Sequence, residues 1–145
     1  MEIVLQLHSY WAYLTLAVLL ATVVSSILSF FSKNNFYQKD VRLALFALIA
    51  MHIQLLLGLA WYFMSPAYKH LKEIGMGAAM KDSLTRLITV EHPLMMIIAI
   101  VLVTIGFSKH KKKESASDKF KTISIYYGIA LLFVLTRIPW TQWFE

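Results

Sequence analysis

Four long apolar stretches separated by short polar ones organise the chain, at about residues 10–31, 43–64, 84–108 and 123–140. Each reaches or nearly reaches the ~20 residues a helix needs to cross a hydrocarbon core of ~30 Å. With polar flanks added, the pattern predicts helices over about 8–32, 39–64, 83–108 and 120–142. Asp82 or Ser83 is placed to cap the third. The connections between the first and second helices, and the third and fourth, are short, so consecutive helices should pack antiparallel. The expected fold is all-α: an integral membrane up-down-up-down four-helix bundle, one transmembrane domain over 1–145. The longer second connection holds Gly75 and Gly77 and is expected to form a small cap.

Composition agrees with a membrane protein. Apolar residues make up 59% and charged residues 15%, against about 45–50% and about 25% in ordinary globular chains. There is no cysteine, which excludes disulfides, thiolate metal sites and covalently attached haem.

The net charge of +6 is not a nucleic-acid footprint, because its lysines cluster between apolar runs. Lys109, Lys111, Lys112, Lys113, Lys119 and Lys121 fall in one stretch, and Lys33, Lys39 and Arg42 in the first connection. Nine Lys and Arg residues on one side face five on the other. The positive-inside rule then puts the first and third connections in the cytoplasm and both termini outside. The N-terminus lacks a basic region and a small-residue cleavage site, so the first segment is expected to stay as a helix. Trp11, Trp61, Trp140 and Trp143 fall at the outer helix ends, as an interfacial aromatic belt would.

Against this background, ionisable residues inside the apolar runs carry the functional signal. His52 lies within ALFALIAMHIQLLLGLAWYFM and His92 opens PLMMIIAIVLVTIGF. At 1.5 Å per residue, His52 stands about 20 Å above Lys39, His92 about 25 Å above Lys109 and Arg137 about 24 Å above Lys121. His8 comes out about 37 Å above Lys33, at or beyond the outer interface. Two imidazoles in one layer suit the axial positions of a haem iron. His52 and His92 are the first candidates, and His8 replaces His52 if its helix sits deeper. Opposite side-chain tilts on antiparallel helices work against the first pairing.

Several neighbours bear on such a site. Arg137 can hold a propionate, pair with Glu91 or reach the interface. Gly58 and Gly128 offer close backbone approach or ordinary helix packing. Gln54, about 200° around its helix from His52, suits an interhelical hydrogen bond. Pro93 would free the Thr89 carbonyl, or mark a first helical turn. His70 and His110 fall in connections and are assigned to no site.

The segments LHSYWAYL (7–14), MHIQLLLGLAWYF (51–63), EHPLMMIIAIVLVTIG (91–106) and TRIPW (136–140) resemble a group of small four-helix membrane proteins loosely described as cytochrome b in the Bacteroidota. The resemblance spans nearly the whole chain through short motifs. It is looser to one half of haem A synthase, where a Glu-x-x-His-Arg motif stands in place of the adjacent Glu91 and His92. The resemblance implies haem b, with His52 and His92 as ligands, His8 third, and a bacterial inner-membrane location. The work implied is one-electron transfer with quinol or a larger respiratory assembly. Two readings stay open beside it. Met51, His52, Met95 and Met96 would suit Cu(I), and the chain would also serve as a cofactor-free accessory or assembly subunit. A homo-oligomer is compatible with all three.

Overall fold

The computed structural model describes residues 1–143. Four helices are long and apolar enough to cross a membrane: α1 (Glu2–Phe31), α2 (Gln38–Met64), α5 (Ser83–His110) and α6 (Ala116–Arg137). Two short helices, α3 (Pro66–Ile74) and α4 (Met76–Ala79), join α2 to α5, and α7 (Trp140–Trp143) follows α6. There is no strand among the described residues.

Local chemistry sets the helix ends. The Tyr37 amide donates to Asp40 Oδ2 at 2.8 Å to open α2. Ser65 Oγ accepts from the Tyr68 amide to open α3, and Ser115 Oγ from the Asp118 amide to open α6. Asp82 Oδ2 accepts from the Thr85 amide at 2.8 Å to cap α5, as expected of a short polar side chain at that position. The Thr85 hydroxyl, and then its amide, hold the Asp82 carboxyl below the usual carboxylate range. The sign follows: this cap contributes at neutral pH and is lost as acid protonates Asp82. Gly75 takes φ +80° between α3 and α4, a conformation that favours glycine. Chain direction changes after Arg137, where Ile138 is extended because Pro139 disfavours a helical residue before it. Thus α6 stops five residues short of the expected 142, and α1 starts at Glu2 rather than near residue 8.

The spanning helices close a ring in which α1 packs on α2 and α6, and α5 packs on α2 and α6. Hence α1 and α5 stand diagonally opposite. Their core is built from Leu19 and Val23 of α1, Ala44 and Ala47 of α2, Val103 of α5 and Tyr127 of α6. Tyr127 ties α6 to α2 by donating to the Ala44 carbonyl at 2.8 Å. The outward faces stay apolar, with Leu20, Leu28, Phe46, Leu56, Val101 and Leu132 exposed. Exposed apolar faces on every long helix are what a lipid solvent calls for, so the chain is read as a multi-pass membrane protein.

Close packing of the long helices is concentrated in one part of the bundle. The buried positions run from Thr15 to Ser26 on α1, Ala44 to Met51 on α2, Ala99 to His110 on α5 and Phe120 to Val134 on α6. Beyond Thr15, Met51, Ala99 and Val134 the inward positions of these helices are mostly half-buried, His8, Gln54, Gly58, Met96 and His92 among them, while Thr89 of α5 is buried. The helices therefore pack tightly toward the lysine-rich end and loosen toward the histidines.

Candidate functional site

Two helices bring the central pair together. Trp11 Nε1 donates to the Ala50 carbonyl at 2.9 Å and Thr22 Oγ1 to the Leu43 carbonyl at 3.4 Å. This antiparallel register sets Lys39 level with about residue 25 of α1. Lys33 thus hangs about 12 Å below it. Measuring His8 from Lys33 therefore placed it too high. His8 stands level with His92 and faces it across the bundle, ring centroids 6.4 Å apart and planes at 89°.

His52 does not join them. It is exposed, and its Nδ1 bonds only to the Leu48 carbonyl of its own helix at 2.8 Å. Leu45, Ile49 and Leu56, on the same face, are exposed too. The inward face of α2 carries Ala44, Ala47 and Met51, and one further step along it lies Gln54. The expected His52–His92 pairing is thereby corrected: about 100° of helix separates His52 from the buried Met51 beside it. The same turn breaks up Met51, His52, Met95 and Met96 as a shared copper site.

Gln54 and Gly58 hold His8. Gln54 Nε2 donates to the His8 carbonyl at 3.0 Å and lies 3.2 Å from His8 Nδ1. A Cβ on Gly58 would meet His8 Cε1 at 3.0 Å, so the missing side chain lets the imidazole lie on the α2 backbone. Gly128 has no such task, since its nearest neighbour would be Val23 at 3.9 Å.

His92 is held from α6. Its Nδ1 bonds to the Arg137 carbonyl at 2.8 Å, an acceptor left over where that helix ends. Nδ1–H is the donor in this bond, so Nε2 keeps its lone pair. The turn before His92, Leu87–Glu91, is π-helical. Pro93 has no amide hydrogen for the Thr89 carbonyl, and Tyr62 Oη supplies the donor instead at 3.0 Å. The freed carbonyl is present, and tyrosine binds it.

A charged rim lies beside the pair. Glu91 Oε1 accepts from Arg86 Nε at 2.8 Å, and Glu91 Oε2 stands 3.4 Å from Arg137 Nε. All three side chains are 31–39% exposed. Of the roles open to Arg137, the structure displays the pairing with Glu91. Trp11, expected in an aromatic belt, is instead half-buried and bonded to α2. His110, read as a loop residue, ends α5 and is buried against Phe36 and Phe107.

Among the described residues no three His, Asp or Glu side chains converge on a metal position. A haem asks for only two, because its macrocycle supplies four nitrogens. At a metal–nitrogen distance of about 2.0–2.1 Å, two imidazoles on opposite sides of one ion have centroids about 6.4 Å apart. Ring planes are free to take any angle about that axis. The spacing therefore fits, as does the loosened packing around it. His92 presents the right tautomer. His8 does not yet, because the Gln54 amide nitrogen facing Nδ1 leaves the hydrogen on Nε2. Gln54 Oε1 is buried without a partner and is the acceptor that an Nδ1–H on His8 would take. The residues thus fit a two-imidazole ligand set once Gln54 shifts to keep Nε2 on the His8 carbonyl and bring Oε1 to Nδ1. No protein-family model, curated protein or solved structure matches the chain.

Proposed function

We propose that the chain is a membrane b-type cytochrome that binds one haem between His8 of α1 and His92 of α5. One observation carries the reading: two half-buried imidazoles from diagonally opposite helices stand 6.4 Å apart where core packing loosens. A bound haem supplies reversible one-electron change at its iron. The protein's part is to orient and neutralise. The Arg137 carbonyl fixes the His92 ring, and Gln54 with Gly58 fixes His8. Arg86 and Arg137 offer cationic donors to propionates at the rim, with Glu91 holding both in place. The lysine-rich connections, read as cytoplasmic by the positive-inside rule with both termini outside, support a place for this layer in the outer leaflet of a bacterial inner membrane. A quinol or a respiratory complex is the partner this placement suits.

The reduced-minus-oxidised spectrum of protein purified from a haem-sufficient host tests this reading. An α-band is expected, lost in His8→Ala and in His92→Ala and retained in His52→Ala. A wild-type protein without the band sinks the haem; a band lost only in His52→Ala sinks the ligand pair.

One observation favours a cofactor-free accessory subunit instead. His8 and His92 each already tie two helices together through hydrogen bonds. On that reading the chain purifies colourless, in stoichiometric complex with a respiratory partner.

A further inference from the structure

We infer that the cleft between α5 and α6 at their lysine-rich ends binds the head group of an anionic phospholipid. The six lysines between 109 and 121 do not form one diffuse patch. Lys111 Nζ lies over the Phe107 ring at 4.6 Å and Lys119 Nζ over Phe36 at 5.3 Å. Lys109, Lys113 and Lys121 instead line a cleft of about 260 Å³, many times the ~30 Å³ of one water in the liquid. Three ammonium groups there face a single carboxylate, Asp118. Lys109 is steadied at the mouth by the Tyr126 ring, 5.5 Å from its Nζ. The chemistry asked for is an oxyanion, and a phosphodiester supplies it.

Two features select a lipid over a dissolved anion. The cleft wall runs from Ile125 into Ile129 and Leu132 of α6, all exposed and apolar, which gives acyl chains a surface directly beyond the head group. Gly106 and Tyr126 meet so closely that a side chain on Gly106 would collide with the Tyr126 Cβ. The helices thus close the route into the bundle and keep the ligand on the membrane-facing side. Basic clefts at helix ends on the cytoplasmic side are suited to such head groups. Lys109 lies about 25 Å along α5 from His92, so this site stands or falls independently of the histidine layer.

The test uses the full chain in neutral detergent, with phosphatidylglycerol and phosphatidylcholine as probes and retained lipids counted by native mass spectrometry. Phosphatidylglycerol should be retained over phosphatidylcholine, and each of Lys109→Gln, Lys113→Gln and Lys121→Gln should weaken it about fivefold. Asp118→Asn should strengthen retention, a gain that misfolding does not imitate. Lys69→Gln and Lys72→Gln, on α3, should change nothing. Equal retention of the two lipids, or equal loss in the α3 variants, overturns the inference. If millimolar inorganic phosphate displaces phosphatidylglycerol completely, the cleft recognises a free anion and the lipid assignment is overturned as well.

Discussion

Pro93 shows how one residue's chemistry is settled by another element. Its missing amide leaves the Thr89 carbonyl without a helical donor, and Tyr62 of α2 fills the vacancy at 3.0 Å. Thr89 is buried, so an unpaired carbonyl there costs more than the bond itself gains. Tyr62→Phe should lower stability by about 1 kcal/mol. In a Pro93→Ala background the alanine amide can serve the same carbonyl, and Tyr62→Phe should cost less. Unfolding of the four proteins in detergent measures the coupling. A neutral Tyr62→Phe, or the same cost in both backgrounds, removes this role from Tyr62. The freed Thr89 carbonyl was legible in the sequence, since a proline's effect on the residue four before it is local. Its partner was not, because Tyr62 is 27 positions away. The same divide explains His52. That it lay among apolar residues was plain. Which way it faced was hidden, because a helix in lipid is apolar on its outer side as well as its inner one. The small residues Ala44, Ala47 and Ala50 mark the packed face of α2 and were the available signal. Followed through Met51, that face leads to Gln54 and Gly58, not to His52.

At the level of elements, the four spans were readable from length and hydropathy, and the cap at Asp82 from a side chain that competes well for backbone amides. Relative height was not readable, since it depends on the register between α1 and α2, set by Trp11 and Thr22 bonding to carbonyls of α2. Close approach between helices is equally specific. At Gly106 the backbone of α5 lies against the Cβ of Tyr126 on α6, and a Cβ cannot swing aside as a side-chain tip can. Gly106→Ala should therefore separate α5 from α6 locally and destabilise by about 1–3 kcal/mol. Gly128→Ala, with ordinary contact at 3.9 Å, should be tolerated. Thermal unfolding of the two variants compares them directly, and equal midpoints would show that the α5–α6 crossing adjusts freely. Because Gly106 lies far below the histidines, its alanine variant should keep any haem spectrum at temperatures where the fold survives.

For the whole molecule, the gradient of packing separates a structural half from a half left free for function. Leu19, Val103, Ile123 and Tyr127 are buried to within 1% exposure and lie on three different helices. The inward residues of the histidine layer have no such company. Loosely packed segments open at lower free energy than the core, so hydrogen exchange should be graded along the bundle axis. Amides of residues 18–26, 99–107 and 123–134 should exchange slowly in detergent-solubilised apoprotein, and those of 8–12, 54–62 and 92–96 faster. A ligand that binds only the folded state stabilises what it touches. Adding haem should therefore slow exchange in the second set and leave the first nearly unchanged. This readout is independent of colour or electron transfer, so it distinguishes a specific site from haem dissolved in the micelle. If protection rises evenly over all four helices, or not at all, the loosened layer is not where the cofactor sits. If the layer is already as protected as the core without haem, the hydrogen bonds of Gln54, His92 and Tyr62 suffice to close it, and the histidines act as ties between helices.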